Sequence, residues 1–236
     1  MNVEALKGQT IMMAVSGGLD SCTITHWLAQ NSVQVMAYTA DLGQPDEENL
    51  ENVRQRMLAC GAREAIVQDL KEAICRAGVQ LIQAQARYEG GYWNTTGIAR
   101  HVVVQAMIPQ MRQRGIHLMG HGATGRGNDQ VRFQLAAQML APQIQVYAPW
   151  RDPAFLKAFG GRRQMIDYCQ RHGLPITATH DKPYSTDANM LGLTHEAGEL
   201  ESLQTPVCRV EPGMGVFPRQ APEQAEIFTV RFEKGD

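Results

Sequence analysis

The sequence predicts an α/β protein built on a doubly wound parallel sheet, and three observations lead there. Strand-like apolar runs recur at residues 11–15, 33–39, 65–68, 117–119 and 143–147, separated by amphipathic stretches of helical length. Such alternation builds parallel βαβ units rather than hairpins. The segments after the first, second and fourth runs are unusually glycine-rich or polar, and right-handed crossovers bring those carboxyl ends to one crevice. With 44% hydrophobic residues in a chain of 236, there is core for one large domain or one and a half smaller ones.

The first run, IMMAV, leads into AVSGGLDS and then CTITHWL, which reads as a helix. Gly17-Gly18 makes a tight turn, and either Asp20 or Ser21 is a candidate cap for that helix. Small side chains also leave the turn's N–H groups bare at a helix start, a place suited to phosphate. The turn has neither the lysine nor the glycine spacing of a GxxxxGK(S/T) loop, so the ordinary nucleotide triphosphatase pattern is excluded. A shorter pyrophosphate-binding loop is the reading that remains.

After the second run comes YTADLGQPD and then PDEENLENVRQRMLACG. Here Pro45 sits near a helix start, acids are expected to fill the first turn, and Gly61 follows as the stop. After the fourth run comes HGATGRGNDQVRF, with a helix expected from Asn128-Asp129 onward. Thr124, Asn128, Asp129 and Arg132 offer a hydroxyl, an amide, a carboxylate and a guanidinium, enough to recognise both ends of an amino acid. Asn128 and Arg132 are four apart and share a helix face. Beyond a boundary near Leu174-Pro175, DKPYSTDANMLGLTHEAGELE reads as polar loop and FTVRFEKGD as a closing strand. The expected organisation is a nucleotide-binding domain over residues 1–174 and part of a smaller α+β domain over 175–236. No internal repeat or low-complexity tract interrupts it.

Composition narrows the classes of function. A formal net charge of -2 with 19% charged residues gives neither a basic footprint for nucleic acid nor an acidic solvating tail. The five cysteines are far apart, without a CxxC pair, and are expected as free thiols. His26, His101, His172 and His195 lack metal-ligand spacing and are expected as surface or satisfied polar residues, while His121 lies inside the HG motif. The opening MNVEALKGQT has no apolar run of signal-peptide length and no segment is of membrane-spanning length. A soluble, cytoplasmic protein is expected, with no membrane or nucleic-acid partner.

Taken together, AVSGGLDS, AYTADLGQPDEEN, YWNTTGIAR, HGATGRGNDQVRF, YAPWRDPAF, FGGRRQM, YSTDANMLGLTHEAGELE and VRFEKG resemble the argininosuccinate synthase family of ATP pyrophosphatases. The resemblance extends over nearly the whole chain, and the YSTD run looks like the longer bacterial form. It implies an adenine nucleotide alpha hydrolase-like fold, with ATP and Mg2+ as cofactors and citrulline, or an analogue, and aspartate as substrates. It implies that the ureido oxygen attacks the α-phosphate of ATP and that the aspartate amine then displaces AMP.

By the same resemblance the nucleotide would be held by Ala14, Val15, Ser16, Gly17, Gly18, Leu19, Asp20, Ser21, Ala40, Gly122 and Asp187. Thr124, Asn128 and Asp129 would bind aspartate, and Tyr92, Thr96, Asn128, Arg132, Ser185, Thr194 and Glu196 would hold citrulline. Ser16, Asp20, Asp129 and Arg132 are expected to carry the catalysis, and no side chain is assigned as a metal ligand. Gly97 stands where many members have a serine contacting citrulline, His101 where many have proline, Gln134 where a glutamate often follows the RF pair, and Asp41 in place of a common asparagine. The family continues beyond the position of Asp236 into more of a synthetase domain and a C-terminal tetramer arm; a homo-oligomer is expected, here without that arm. The readings carried forward are an argininosuccinate synthase, the same adenylation of a different ureido or carbonyl acceptor, and a non-catalytic ATP-binding module that works through a partner. A transfer-RNA thiolase is disfavoured by the missing cysteine pairs and basic stripe, and an NAD-dependent dehydrogenase by the lack of GxGxxG after the first strand.

Overall fold

The computed structural model describes residues 1–45, 49–89, 91–125, 127–176, 184–196 and 198–233. In chain order the elements are β1 (Thr10–Ala14), α1 (Leu19–Gln30), β2 (Gln34–Asp41), α2 (Leu50–Ala59), β3 (Glu64–Asp69) and α3 (Lys71–Gln83). A short ribbon follows, β4 (Arg87–Tyr88) with β5 (Tyr92–Trp93), then α4 (Thr95–Gln113), β6 (Leu118–His121), α5 (Asp129–Leu140) and β7 (Gln145–Tyr147). Last come α6 (Pro153–Ala158), α7 (Arg162–Arg171), β8 (Ser185–Asn189) and β9 (Gly192–Glu196).

Five strands form the central sheet in the order β3-β2-β1-β6-β7, every neighbouring pair parallel. The doubly wound sheet is therefore present, and the order reverses between β1 and β6. Side chains alternate between two buried layers, as a strand's period of two requires. Ile11, Met13, Val35, Ala37 and Leu118 enter one layer with α1 and α7, whereas Met12, Met36, Tyr38 and Met119 enter the other with α3, α4 and α5. Burial on both faces explains why these strands read as unbroken apolar runs rather than as an alternating pattern.

Three expectations need correction. The helix of PDEENLENVRQRMLACG starts at Leu50 rather than near Pro45, because Asn49 caps it by accepting the Glu51 N–H at 2.9 Å. The acids at 46–48 lie outside the described residues, whereas Gly61 stops the helix as expected, with a φ of 96° and its N–H on Leu58. The polar stretch after residue 184 is not loop but an antiparallel hairpin, β8 with β9, turning through Met190-Leu191. Asn189 fixes that turn, accepting the Leu191 N–H at 2.9 Å.

The third correction concerns the closing strand. Residues 228–233 pair with no strand among the described residues, and Ile227, Phe228, Val230 and Phe232 are exposed. Alternating apolar residues give strand propensity, but a strand also needs an edge to satisfy its backbone. Residues 234–236 of that segment lie outside the described residues. The cysteines are all free, as expected; Cys22, Cys60 and Cys169 are buried, and Cys75 and Cys208 are exposed. Among the described residues no helix is long and apolar enough to cross a membrane.

Candidate nucleotide and substrate site

Strand β1 ends at Ala14, which lies in register with Tyr38 of β2 and His121 of β6. The turn that follows is built for backbone exposure. Gly17 has a φ of 78°, and a Cβ there would come within 2.8 Å of Val53 Cγ1, so this position needs glycine both for its conformation and for the approach of α2. Arg56 of α2 donates to the Gly17 carbonyl at 2.9 Å and holds the turn from behind.

Neither Asp20 nor Ser21 caps α1. The cap position is Gly18, which has no side chain to offer the first amides of that helix. Ser21 instead accepts the Ser16 N–H at 3.0 Å and brings its hydroxyl within 3.5 Å of the Ser16 hydroxyl. The result is a helix start whose N–H groups and positive dipole end are left for an anion, flanked by two hydroxyls.

Asp20 is not at an open surface turn. The indole N–H of Trp150, from the segment after β7, donates to its Oδ1 at 3.0 Å. Burial pushes the Asp20 carboxyl up from its ordinary range, against the opposing pull of the Trp150 hydrogen bond and the charge of Arg162 at the start of α7. A half-buried carboxylate beside an anion site gains from a nearby cation, and that fits magnesium carried on a nucleotide's phosphates.

The loop after β6 meets the loop after β1. A Cβ on Gly122 would lie 3.7 Å from that of Asp20 and 3.4 Å from Ile24 Cδ1. His121 is buried below it, accepting the Ala123 N–H at Nδ1 and stacked on Phe133 with ring centroids 4.7 Å apart. Desolvation lowers its pKa to about 4, so the ring is neutral at physiological pH. Gln130 donates to the Ala123 carbonyl at 3.0 Å, which fixes the loop from its other end. Ala14, Ala40 and Gly122 thus put small residues at the carboxyl ends of β1, β2 and β6.

A second group of residues surrounds Asp129. Arg132 reaches Asp129 Oδ1 at 2.7 Å and also donates to the Tyr88 hydroxyl at 3.0 Å and to Asn94 Oδ1 at 3.5 Å. Arg100 of α4 reaches Oδ2 at 2.8 Å through Nε and at 2.7 Å through Nη2. The same Arg100 Nη2 binds Asp187 of β8. Burial would raise the Asp129 carboxyl, but the charges and hydrogen bonds of Arg100 and Arg132 outweigh it and hold the group below its ordinary value. Tyr92 stacks on Tyr88 with centroids 5.8 Å apart and shares a 2.7 Å hydrogen bond with Thr96.

The hairpin explains why four scattered residues belong together. Asp187 pairs with Thr194 and Ser185 with Glu196, so these four side chains share one face. Asn189, two residues beyond Asp187 on that face, donates to the Thr95 carbonyl at 3.2 Å, and Asp187 meets Arg100. The face is therefore turned toward α4. His195, on the opposite face, bonds to Thr186 through Nδ1, and its buried Nε2 has no partner among the described residues, contrary to the expectation of a satisfied polar group.

The sequence-predicted residues thus fall into two sets: Ser16 to Ser21 with Gly122, and Tyr92, Thr96, Asp129 and Arg132, which Asp187, expected with the nucleotide residues, joins through Arg100. Thr124 and Asn128 lie on the loop leading into α5, where Asn128 holds the cap position without a side-chain capping bond. Ser185, Thr194 and Glu196 occupy the hairpin face, and among the described residues no hydrogen bond joins them to Asp129. Arg100, Trp150, Asn94 and Tyr88 were not singled out from sequence. Asn94, Arg100 and Trp150 lay inside distinctive stretches and Tyr88 did not, and nothing local marks their partners. Gly97 and Asn94 are coupled: a Cβ on Gly97 would lie 2.0 Å from Asn94 Oδ1, so the asparagine amide occupies the space a side chain at 97 would need.

Comparison with known proteins gives the chain a family. Residues 10–175 match the family model described as the arginosuccinate synthase N-terminal HUP domain. The argininosuccinate synthase of Rhodopirellula baltica is 41% identical over 229 residues, covering 96% of this chain and 56% of that protein. The argininosuccinate synthase of Homo sapiens is 37% identical over 230 residues, covering 96% of this chain and 55% of that protein. The chain spans about half the length of the curated relatives it matches.

Proposed function

Since the chain belongs to the argininosuccinate synthase family, we propose that it binds ATP and magnesium at the loop after β1, adenylates the ureido oxygen of citrulline and joins the product to aspartate. The observation that carries this reading is the uncapped start of α1 beside Asp20 and Gly122, at the point where the strand order reverses.

The chemistry accounts for the residues. A ureido oxygen is a poor leaving group until it carries a phosphoryl group, so attack on the α-phosphate comes first and expels pyrophosphate. The bare N–H groups of α1, with the hydroxyls of Ser16 and Ser21, would hold that leaving anion. Magnesium, when bound, would neutralise phosphate charge, with Asp20 the nearby carboxylate. The amine of aspartate then attacks the activated ureido carbon and releases AMP. Asp129, with Thr124 and Asn128, would hold the aspartate, and Arg132, Tyr92, Thr96, Ser185, Thr194 and Glu196 the citrulline. No general base is required if positioning and charge stabilisation supply most of the rate. Residues 1–174 would form the nucleotide-binding domain and 175–236 part of the substrate-binding domain of a cytoplasmic homo-oligomer.

A second reading, the same adenylation on another ureido or carbonyl acceptor, is favoured by the Asn94 amide standing over Gly97 next to Arg132. One assay separates the two. The purified chain is incubated with ATP, magnesium and aspartate, with and without citrulline, while pyrophosphate is measured and products are weighed by mass spectrometry. Citrulline-dependent release with argininosuccinate formed is the expected outcome. Release that ignores citrulline, with no argininosuccinate formed, is ATP cleavage without an acceptor and counts against citrulline as the substrate. ATP binding without any release overturns citrulline as the acceptor for this length of chain and leaves another acceptor, a missing partner segment or a nucleotide-binding module.

A further inference from the structure

Arg100 is the residue around which the second half of the site is arranged. It lies on α4 with 18% of its side chain exposed, and its guanidinium bridges Asp129 of α5 and Asp187 of the hairpin. Arg132 takes the other oxygen of Asp129, so two guanidinium groups and two carboxylates form a charge-balanced set. Neither loop geometry nor local sequence brings these three elements together. A buried guanidinium needs its donors satisfied, and its planar fork fixes both acceptors in space.

We propose that Arg100 is a positioning residue that sets the carboxylate of Asp129 and, by holding Asp187, docks the β8–β9 hairpin with its Ser185, Thr194 and Glu196 face against α4. The amine-handling carboxylate and the acceptor-handling hairpin then share one side chain, beside the separate holds of Arg132 on Asp129 and of Asn189 on Thr95. In calling Asp129 a substrate contact, this rests on the function proposed above; the placement itself does not.

The groups facing Asp129 are Arg100 from α4, Arg132 from its own helix, His121 from β6 and, across Arg100, Asp187 from β8, with Tyr88 of β4 on the far side of Arg132. Replacing Arg100 by glutamine removes the cation that two carboxylates share. In R100Q the Asp129 carboxyl, followed by carbon-13 NMR on the full chain, should titrate about one pH unit higher or more than in the unaltered chain. Amide hydrogen exchange across β8 and β9 should quicken about tenfold or more. In R100K the ammonium keeps Asp129 depressed but cannot serve both acceptors, so the hairpin alone should exchange faster. D187N should loosen the hairpin and leave Asp129 depressed.

An R100Q chain that folds, yet shows the original Asp129 midpoint and the original hairpin exchange, overturns the proposal. If R100Q fails to fold, R100K decides: hairpin exchange equal to the unaltered chain overturns it, and faster exchange supports it. Aspartate binding by calorimetry, run on the unaltered chain, reports separately on the functional reading. Absence of binding there counts against that reading, whereas the titration and exchange results still decide the role of Arg100.

Discussion

Asp20 carries a charge where burial disfavours it, and it is held there by Trp150. Asp20→Asn keeps an oxygen for the indole N–H and removes only the charge. ATP turnover should fall by about a hundredfold or more with thermal stability nearly unchanged, whereas Asp20→Ala should also lose about 1 kcal/mol from the broken hydrogen bond. Turnover and thermal melting on both variants check this, and normal turnover in Asp20→Asn would remove the charge from the mechanism. At Gly97 the prediction is steric. Gly97→Ser places its Cβ on the Asn94 amide, so Asn94 must leave Arg132, and the affinity for the acceptor should change severalfold while nucleotide affinity stays the same. Titration calorimetry with each ligand tests it. Single-residue chemistry was legible where one segment supplies it, as with Ser16 to Ser21. Arg100 and Trp150 were not, because each acts on a carboxylate that reaches it only through the fold.

At the scale of elements, Asp152 joins three of them. Its side chain accepts the Val3 N–H at 2.7 Å, the Tyr147 hydroxyl at 2.7 Å and the Ala154 N–H at 2.9 Å, and it caps α6. Asp152→Ala leaves buried donors without partners and should cost about 3 kcal/mol or more, read as a lower urea midpoint with an unchanged slope. A cost below about 1 kcal/mol would mean that water replaces the carboxylate. The helices and central strands were legible because burial on two faces writes long apolar runs. The hairpin was not: polar Ser185, Asp187, Thr194 and Glu196 on the face toward α4 disguise a strand pair as loop. The closing segment failed in the opposite sense, since its apolar alternation promises a strand that no edge among the described residues receives.

For the whole molecule, acid should be more damaging than its small net charge suggests. Buried His121 has its pKa lowered from 6.5 to about 4, so acidification protonates the unfolded chain first. Stability is full above about pH 6.5 and is lost as the pH falls toward 4, on the order of 3 kcal/mol from this group. Asp129, held low by its arginines, adds a loss in the same direction at lower pH, while Asp20, raised by burial, is relieved as it protonates. His121→Asn, which keeps an acceptor for Ala123, should remove most of the slope between pH 6.5 and 4. Urea unfolding at each pH measures it, and an unchanged slope would assign the acid sensitivity elsewhere. The fold class was legible at this scale because alternation of elements is a property of the entire chain.

The central place of β1 also sets a timetable. Its partner on one side, β2, follows at once, but its partner on the other, β6, is made roughly a hundred residues later, which at ribosomal speed is about 5 to 20 s. Throughout that interval the nascent chain holds a half-paired apolar strand and no crevice for a nucleotide. A pause in translation before β6 should therefore favour aggregation, and ATP supplied during synthesis can rescue the chain only after that strand has emerged.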